Sequence, residues 1–218
     1  LTGQMVIASY LTINSLILWF FDTPYNFLNY EIVDVNLFFE ISPWLLIVLI
    51  CSLSMGSFSG EMSSGTLELL ITKPLNPSEI FVGKFLGLAF VFCACIFMTI
   101  LNIVALNSLL TFESELDMSS LFTSYFGLFL IGLVFISISL FCSILFRNQV
   151  TAFISALTVC FFQYFFWDFL ASIVTDPWKY KIISNIGIKT HYVGLSLGII
   201  KFEDIVYLIG ILLIIHML

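Results

Sequence analysis

The residue types that most often act in catalysis or bind metals are sparse in this chain. Its two histidines, His191 and His216, do not have the spacing of a metal-ligand pair, and its five cysteines all lie inside apolar runs. Asp168 and His191 are of the types that serve as a general acid and base, but Asp168 is expected to mark the outer end of an apolar run and His191 to lie in a loop. The sequence therefore predicts no catalytic residue and no metal site.

A nucleotide-binding loop is also missing from the sequence. Gly83 and Lys84 form the Gly-Lys pair of such a loop, but Phe85 follows where a Ser or Thr would be needed. The full pattern Gly-x-x-x-x-Gly-Lys-Ser/Thr occurs nowhere in the chain. We expect the chain to bind no cofactor of its own.

Composition decides the class of protein. The chain has 218 residues, of which 61% are hydrophobic and 10% charged, against about 45–50% and about 25% in soluble domains. Too few charged residues remain to cover a soluble fold, and a formal net charge of -7 leaves no basic surface for nucleic acid. The long apolar runs differ from the alternating segments of a membrane β-barrel, so they predict an all-α, polytopic membrane protein.

Six charge-poor segments predict six transmembrane helices in a single domain that covers residues 1–218. They are about 1–21, 41–60, 80–112, 118–146, 148–170 and 203–218. A membrane helix needs about 20 apolar residues, and the charge-free part of the sixth segment is shorter. We expect that both ends of the chain are trimmed and that this helix continues beyond Leu218. Pro43 and Pro77 are expected at helix starts, where proline is tolerated.

The distribution of lysine and arginine among the loops predicts how the chain is oriented in the membrane. Loops 22–40 and 113–117 carry acids and no bases, whereas loop 61–84 carries two lysines and the following loop carries Arg147. Because basic residues are enriched in cytoplasmic loops, the first two loops are expected outside and the other two in the cytoplasm. The expected location is the inner (cytoplasmic) membrane.

Segment 168–204 breaks this pattern, since it is expected outside yet contains four lysines. Either it is an external segment that its lysines do not reorient, or residues 182–200 cross the membrane and shift the parity of the helices. Lys189 and His191 lie in the middle of that stretch, which makes a full crossing costly. An external, partly re-entrant segment over residues 171–202 is therefore favoured.

The cytoplasmic segment 61–79 is too polar to span a membrane and too apolar to be a plain solvated loop. Its spacing predicts a short amphipathic helix over residues 66–72, which Pro74 ends. Asn76 then caps the next helix. Because a short amphipathic helix must cover an apolar surface, this segment is the first candidate for a binding function.

The two faces of this helix differ in chemistry. Leu67, Leu70 and Ile71 share the apolar face, and Glu61 and Glu68 lie on the polar side. Helices that lie on a membrane surface usually carry Lys or Arg on the polar face. The acids here favour a groove in a cytoplasmic protein over an anionic lipid surface.

Polar residues inside the predicted spans are few. The notable ones are Asn14, Asn102, Asn107 and Gln163. Hydrogen bonds between helices explain them at about 0.6–2 kcal/mol each, and the alternative is that they line a substrate path. The charge-free runs disfavour an ion-coupled transporter. Three Gly-x-x-x-Gly patterns, at 56–60, 83–87 and 194–198, predict close helix contacts within one subunit or at a dimer seam.

The segment Gly65-Thr-Leu-Glu-Leu-Leu-Ile-Thr-Lys-Pro-Leu, followed by Glu79-Ile and by Gly83-Lys84, resembles the cytoplasmic loop of type-2 ABC exporter permeases. The resemblance covers nearly the whole chain. Arg147-Asn148-Gln149-Val150 and residues 187–192 (Gly-Ile-Lys-Thr-His-Tyr) resemble most the gliding-motility-associated permeases of Bacteroidetes. Members of this family usually have a basic amphipathic segment before the first span, and residues 1–21 do not contain one.

The resemblance implies a mechanism and partners. The helix at 66–72 would be a coupling helix that docks on a separate ABC ATPase subunit, which would bind ATP and Mg²⁺. Its docking residues would be Glu61, Thr66, Leu67, Glu68, Leu70, Ile71 and Thr72. Further partners would be a second copy of the chain or a homologous permease, an extracytoplasmic accessory subunit and the lipid bilayer. The alternative from the residues themselves is a non-transporting membrane anchor or scaffold of a motility or envelope complex.

Overall fold

The computed structural model describes residues 2–23, 25–26, 35–71, 76–109 and 117–217. Within these ranges all regular structure is helical, which confirms the expected fold class. The helices are α1 (Thr2–Trp19), α2 (Asn36–Ser54), α3 (Ser59–Ser64), α4 (Thr66–Ile71), α5 (Pro77–Leu109), α6 (Met118–Leu145), α7 (Gln149–Phe161), a π-helical turn (Phe162–Phe166), α8 (Trp167–Ile173), α9 (Pro177–Ser184), α10 (Ile188–Ser196) and α11 (Phe202–Met217).

Four helical stretches in the described part of the chain have the length and apolar character needed to cross a membrane. They are Asn36–Ser64, Pro77–Ser108, Met118–Leu145 and Gln149–Ile173. These correspond to the second, third, fourth and fifth predicted spans. The first and sixth predicted spans coincide with the shorter helices α1 and α11.

Helix α6 lies at the centre of the bundle. It packs against α2, α5, α7, α10 and α11, and most of its residues are buried, whereas most of the side chains of α5 are exposed. Helix α5 packs against α6 at Gly132, where the ring of Phe92 occupies the space that a Cβ atom would need. Phe92 is itself buried, so a side chain at position 132 would have to displace this ring.

Pro43 lies inside α2 rather than at its start, so that part of the prediction is wrong. The charge-free run starts at residue 41, directly after Glu40, but the helix already begins at Asn36. Glu40 is exposed, so the helix tolerates its charge. Proline has no N–H with which to bond the carbonyl four residues earlier, that of Phe39. The hydroxyl of Tyr192 in α10 donates to this carbonyl at 2.7 Å. The prediction for Pro77, by contrast, is confirmed, since α5 begins there.

The chain turns at residues 55–58 between α2 and α3. One side chain of α6 satisfies several backbone groups of this turn. The Oγ of Ser143 accepts from the N–H groups of Phe58 and Ser59, both at 3.2 Å, and donates to the carbonyl of Met55 at 3.2 Å. The turn is thus held in place by the central helix.

The helical stretch at the fifth predicted span, Gln149–Ile173, continues past Asp168. Asp168 is therefore not the last residue of the helix, although the charge-free run stops before it. The carboxylate is tolerated because Lys189 pairs with it, with 2.6 Å between Nζ and Oδ2. A π-helical turn separates α7 from α8.

Residues 177–196 form two further helices, α9 and α10, between α8 and α11. α10 packs against α6, and a Cβ placed on Gly127 would lie 2.7 Å from the Cβ of Leu195. The hydroxyl of Ser124 donates to the carbonyl of Ser196 at 2.8 Å. Gly198 ends this region with φ +81°, a conformation that favours glycine.

Candidate functional sites

The first candidate site is the coupling segment, residues 61–79, whose described part extends to residue 71 and resumes at residue 76. The predicted helix over 66–72 has its counterpart in α4, Thr66–Ile71. A second short helix, α3, precedes it, and Gly65 joins the two with φ +74°. Because L-residues with a side chain rarely adopt this conformation, glycine sets the bend between α3 and α4.

The predicted docking residues do not all lie on one free face. Thr66 and Glu68 are exposed, whereas Leu67 is half-buried and packs against the chain's own hydrophobic core. Leu70 and Ile71 belong to α4, but their side chains lie outside the described part of the chain, and Thr72 lies outside the described residues altogether. In the described part of α4 the exposed surface is therefore polar and is formed by Thr66 and Glu68.

Glu61 belongs to α3 and contacts the first turns of α5. Its carboxylate pairs with the Nζ of Lys84, which also donates to the carbonyl of Ser57. The same Nζ lies over the ring of Phe58, 4.2 Å from the ring centre. Lys84 is largely buried, with 18% of its side chain exposed. In the sequence Lys84 stands out only as part of the Gly-Lys pair, and its pairing with Glu61 was not predicted.

Glu79 fixes the residue that precedes α5. The backbone N–H of Asn76 donates to the carboxylate of Glu79 at 3.0 Å, and the side-chain amide of Asn76 donates to the same carboxylate at 3.4 Å. Pro77 occupies the first helical position. This fixes where the long helix begins relative to the coupling segment. Asn76 directly precedes α5, as predicted for a cap, but its side chain donates to Glu79 and, in the described part of the chain, does not accept from an N–H group of the first turn.

The second candidate site lies at the other end of the bundle, between α8, α10 and α11. The sequence predicts His191 in a loop, and this prediction is wrong. His191 belongs to α10 and is buried. Its Nδ1 lies 2.7 Å from Oδ1 of Asp204 and its Nε2 lies 3.0 Å from the carbonyl of Asn185. The ring of Tyr207 stacks on the imidazole with 4.0 Å between ring centres. Sequence reasoning missed Asp204, because thirteen residues separate it from His191 along the chain.

Asp168 and His191 do not pair with each other. Asp168 pairs with Lys189, and the hydroxyl of Tyr192 donates to the backbone, so each polar group of α10 has its own structural partner. The arrangement ties α10 to three neighbouring helices and offers no free base or nucleophile among these residues.

Residues 194–198 (Gly-Leu-Ser-Leu-Gly) have the spacing of a hydrolase nucleophile motif, which requires a sharp turn from a strand into a helix. Ser196 instead lies at the end of α10, where it is buried, and its hydroxyl donates to the carbonyl of Val193 at 3.0 Å. The spacing therefore has no catalytic geometry around it.

The polar residues predicted inside the spans serve different contacts. Asn102 accepts from Ser15 at 3.4 Å and from Trp19 at 3.3 Å, which joins α5 to α1. Gln163 donates to the carbonyl of Ile186 at 3.2 Å, which joins the π-helical turn to the loop before α10.

Two further polar residues complete the predicted set. Asn14 is buried and Asn107 is exposed, and neither makes a hydrogen bond between helices in the described part of the chain. The four residues do not meet at one site in the described structure, so helix packing accounts for Asn102 and Gln163.

Within the described residues no group of three or more His, Cys, Asp or Glu side chains is placed to hold a metal ion.

Comparison with known proteins identifies a family. Residues 11–216 match the model of a family described as ABC-2 family transporter protein. None of the curated proteins matches the chain significantly.

Proposed function

Because the chain belongs to the ABC-2 family of transporter proteins, and is thereby a transmembrane component of an ABC transporter, we propose that it is the permease subunit of an ATP-driven exporter. In this proposal a separate ABC ATPase subunit binds ATP and Mg²⁺ and docks on the coupling segment. The observation that carries the proposal is the position of α3 and α4. They lie in the chain between the long apolar helices α2 and α5, and the ion pair of Glu61 with Lys84 attaches α3 to α5.

The exposed residues of α4 support a docking surface. Thr66 and Glu68 project from a helix that Gly65 turns away from α3. Leu67 packs inward and anchors α4 on the bundle, while Leu70, Ile71 and Thr72 complete the proposed contact. A short rigid helix of this kind can pass a displacement of the ATPase to the membrane helices.

The proposed topology has six spans, with α1 and α11 as the first and last. Residues 171–202 then form an external, partly re-entrant segment. Support comes from α10, which contacts α6 at Ser124 and Gly127 and contacts α2 through Tyr192. These contacts favour a position of α10 alongside helices that we propose to cross the membrane.

The proposed assembly is a dimer of this chain or a pair with a homologous permease in the inner membrane, with an extracytoplasmic accessory subunit. A role in gliding motility is the finer form of the proposal. It is supported by the resemblance of residues 147–150 and 187–192 to the permeases of that system.

The test is a charge reversal in the coupling segment. Each ABC ATPase of the same genome that lacks a membrane domain is co-expressed with the chain, and the pair that co-purifies is reconstituted in lipid vesicles. Glu68→Lys is expected to lower the association at least about tenfold, as loss of a charged contact in an interface does. Leu70→Asp tests the apolar residues in the same way.

Glu203→Lys is the matched control, since Glu203 is also exposed but lies at the start of α11, at the other end of the bundle. The association of the Glu203→Lys variant with the ATPase is expected to equal that of the unaltered chain. Unchanged association of both coupling-segment variants would contradict the docking role. Association without any effect of the chain on ATP hydrolysis would favour the scaffold instead.

A further inference from the structure

The turn at residues 55–58 is the weakest point of the connection between the membrane helix α2 and the coupling segment. α2 ends at Ser54 and α3 begins at Ser59, so the regular hydrogen bonding of one helix does not continue into the other. Gly56 lies in this turn with open space around it. A movement of α3 and α4 can therefore be taken up by the turn, unless other contacts hold α3.

Two side chains from other helices hold this turn. Ser143 of α6 contacts the backbone of Met55, Phe58 and Ser59, as described above. Lys84 of α5 donates to the carbonyl of Ser57, in the turn, and to the carboxylate of Glu61, in α3. Lys84 is thus the contact that joins α5 to both the turn and the coupling segment.

The environment of Lys84 makes this contact strong. Its Nζ has an oxygen acceptor on each of two partners and an aromatic face 4.2 Å away, and only 18% of its side chain is exposed. A partly buried ammonium group that loses its carboxylate keeps its desolvation cost without the compensating attraction. The cation and the ring of Phe58 add a further attraction. The arrangement therefore favours one fixed geometry of α3 against α5.

The two partners come from separate motifs of the sequence. Glu61 precedes the Gly-Thr-Leu-Glu run by four residues, and Lys84 belongs to the Gly-Lys pair that enters α5. The structure brings them together across 23 residues of chain. Their pairing gives the Gly-Lys pair a role that neither nucleotide binding nor docking provides.

We propose that Lys84 is the positioning residue of the coupling segment. Through Glu61 and the carbonyl of Ser57 it attaches α3 and α4 to α5, so that a displacement of the segment moves α5 instead of being lost in the turn at residues 55–58. This inference rests on the proposed function for the source of the displacement, an ATPase, but the attachment itself does not depend on it.

The first experiment needs no ATPase. Amide hydrogen exchange is measured on the purified chain in lipid nanodiscs for Lys84→Met, Lys84→Arg, Glu61→Gln and the exchanged pair Glu61→Lys/Lys84→Glu. Lys84→Met keeps most of the apolar stem and removes the charge, so exchange in residues 59–64 is expected to rise about tenfold, while α6 is unchanged. Lys84→Arg is expected to stay within about threefold of the unaltered chain, because it retains the ion pair with Glu61 and a donor for the carbonyl of Ser57. Glu61→Gln loses the ion pair and the exchanged pair loses the donor to Ser57, so both are expected to fall between Lys84→Arg and Lys84→Met.

The second experiment uses the reconstituted complex with the ATPase. Lys84→Met is expected to leave association within about threefold, since Lys84 is not on the docking surface, but to abolish most of the change in ATP hydrolysis that the permease causes. Lys84→Arg is expected to restore that change. Normal exchange and normal ATP hydrolysis in Lys84→Met would overturn the proposal.

A parallel loss of association, thermal stability and exchange protection in Lys84→Met would also overturn it, since this would show a merely structural residue. Failure of the proposed function has a different signature. In that case no ATPase binds the unaltered chain, while the exchange difference between Lys84→Met and Lys84→Arg persists.

Discussion

At the scale of single residues, the contact of Tyr192 with α2 shows how a helix accommodates a proline. Pro43 leaves the carbonyl of Phe39 without its usual donor, and a buried carbonyl without a partner costs about 1–3 kcal/mol. The hydroxyl of Tyr192 replaces that donor from another helix, and Tyr192 is almost completely buried. The sequence shows Pro43 plainly, but its partner Tyr192 lies far along the chain, 153 residues after Phe39, and no local pattern joins them.

Removal of this hydroxyl is expected to lower the free energy of unfolding. For Tyr192→Phe the expected loss is about 1 kcal/mol, in the range of interhelical hydrogen bonds in membranes. In a Pro43→Ala background the loss should be smaller, because the alanine has an N–H that can bond the carbonyl of Phe39. Unfolding of the four chains in bicelles measures this coupling as a double-mutant cycle.

Tyr180→Phe is the matched control, since Tyr180 is an exposed tyrosine on the neighbouring helix α9. It is expected to leave the free energy of unfolding unchanged. Equal losses from Tyr192→Phe in both backgrounds would show that the hydroxyl does not serve the carbonyl that Pro43 leaves free.

At the scale of helices, the glycines divide into those that a neighbour packs against and those that face open space. A Cβ on Gly132 would meet Phe92, and one on Gly127 would meet Leu195. Gly83 and Gly87, which form one of the Gly-x-x-x-Gly patterns, have no atom of the described structure within 4 Å of that position. The pattern at 83–87 therefore has no close contact in the described part of the chain, whereas at 194–198 a Cβ on Gly198 would lie 2.7 Å from the Oγ of Ser120. The pattern also misses Gly132, whose partner is a single ring on another helix.

Gly132→Ala is expected to push α5 away from α6. Overpacking of this kind costs about 1–3 kcal/mol, and Phe92→Leu in the same chain should recover part of it, because leucine is smaller. The measurement is the free energy of unfolding in bicelles. Gly87→Ala, in open space, is expected to be neutral or to stabilise by up to about 1 kcal/mol. If the two glycine variants behave alike, the contact of Phe92 with Gly132 does not limit the approach of the helices.

At the scale of the whole molecule, the hydrophobic runs predict the long helices well because membrane helices must satisfy their backbone within themselves. Their ends are predicted less well. Glu40 and Asp168 end runs in the sequence, although the helices continue through both. Pairs such as Asp168 with Lys189 and His191 with Asp204 explain why charged residues belong to the bundle, and such pairs form only in the folded chain.

The proposed topology predicts which exposed residues lie on the same side of the membrane. Single cysteines replace Ser64, Lys179 and Lys201 in a chain whose five native cysteines are changed to alanine. Three long helical stretches separate Ser64 from Lys179, so a membrane-impermeant maleimide added to intact cells should label Lys179→Cys but label Ser64→Cys only after permeabilisation.

Lys201→Cys decides between the two topologies of the segment before α11. A re-entrant segment returns the chain to the side of Lys179, so both cysteines should be labelled in intact cells. A crossing by α9 and α10 would place Lys201 on the side of Ser64 instead. Labelling of Ser64→Cys in intact cells would contradict the assignment of the coupling segment to the cytoplasm.

The π-helical turn at Phe162–Phe166 has a consequence for the phase of the helix that contains it. A π turn holds one residue more than an α turn, so the side chains that follow are rotated by about 100° from where an unbroken α-helix would direct them. Asp168 lies shortly after this turn, and its side chain pairs with Lys189 in the direction that results from this rotation. Deletion of one residue from Phe162–Phe166 would leave the run as hydrophobic as before, yet it would turn Asp168 away from α10. The number of residues in this turn, and not only their kind, therefore determines which charges meet.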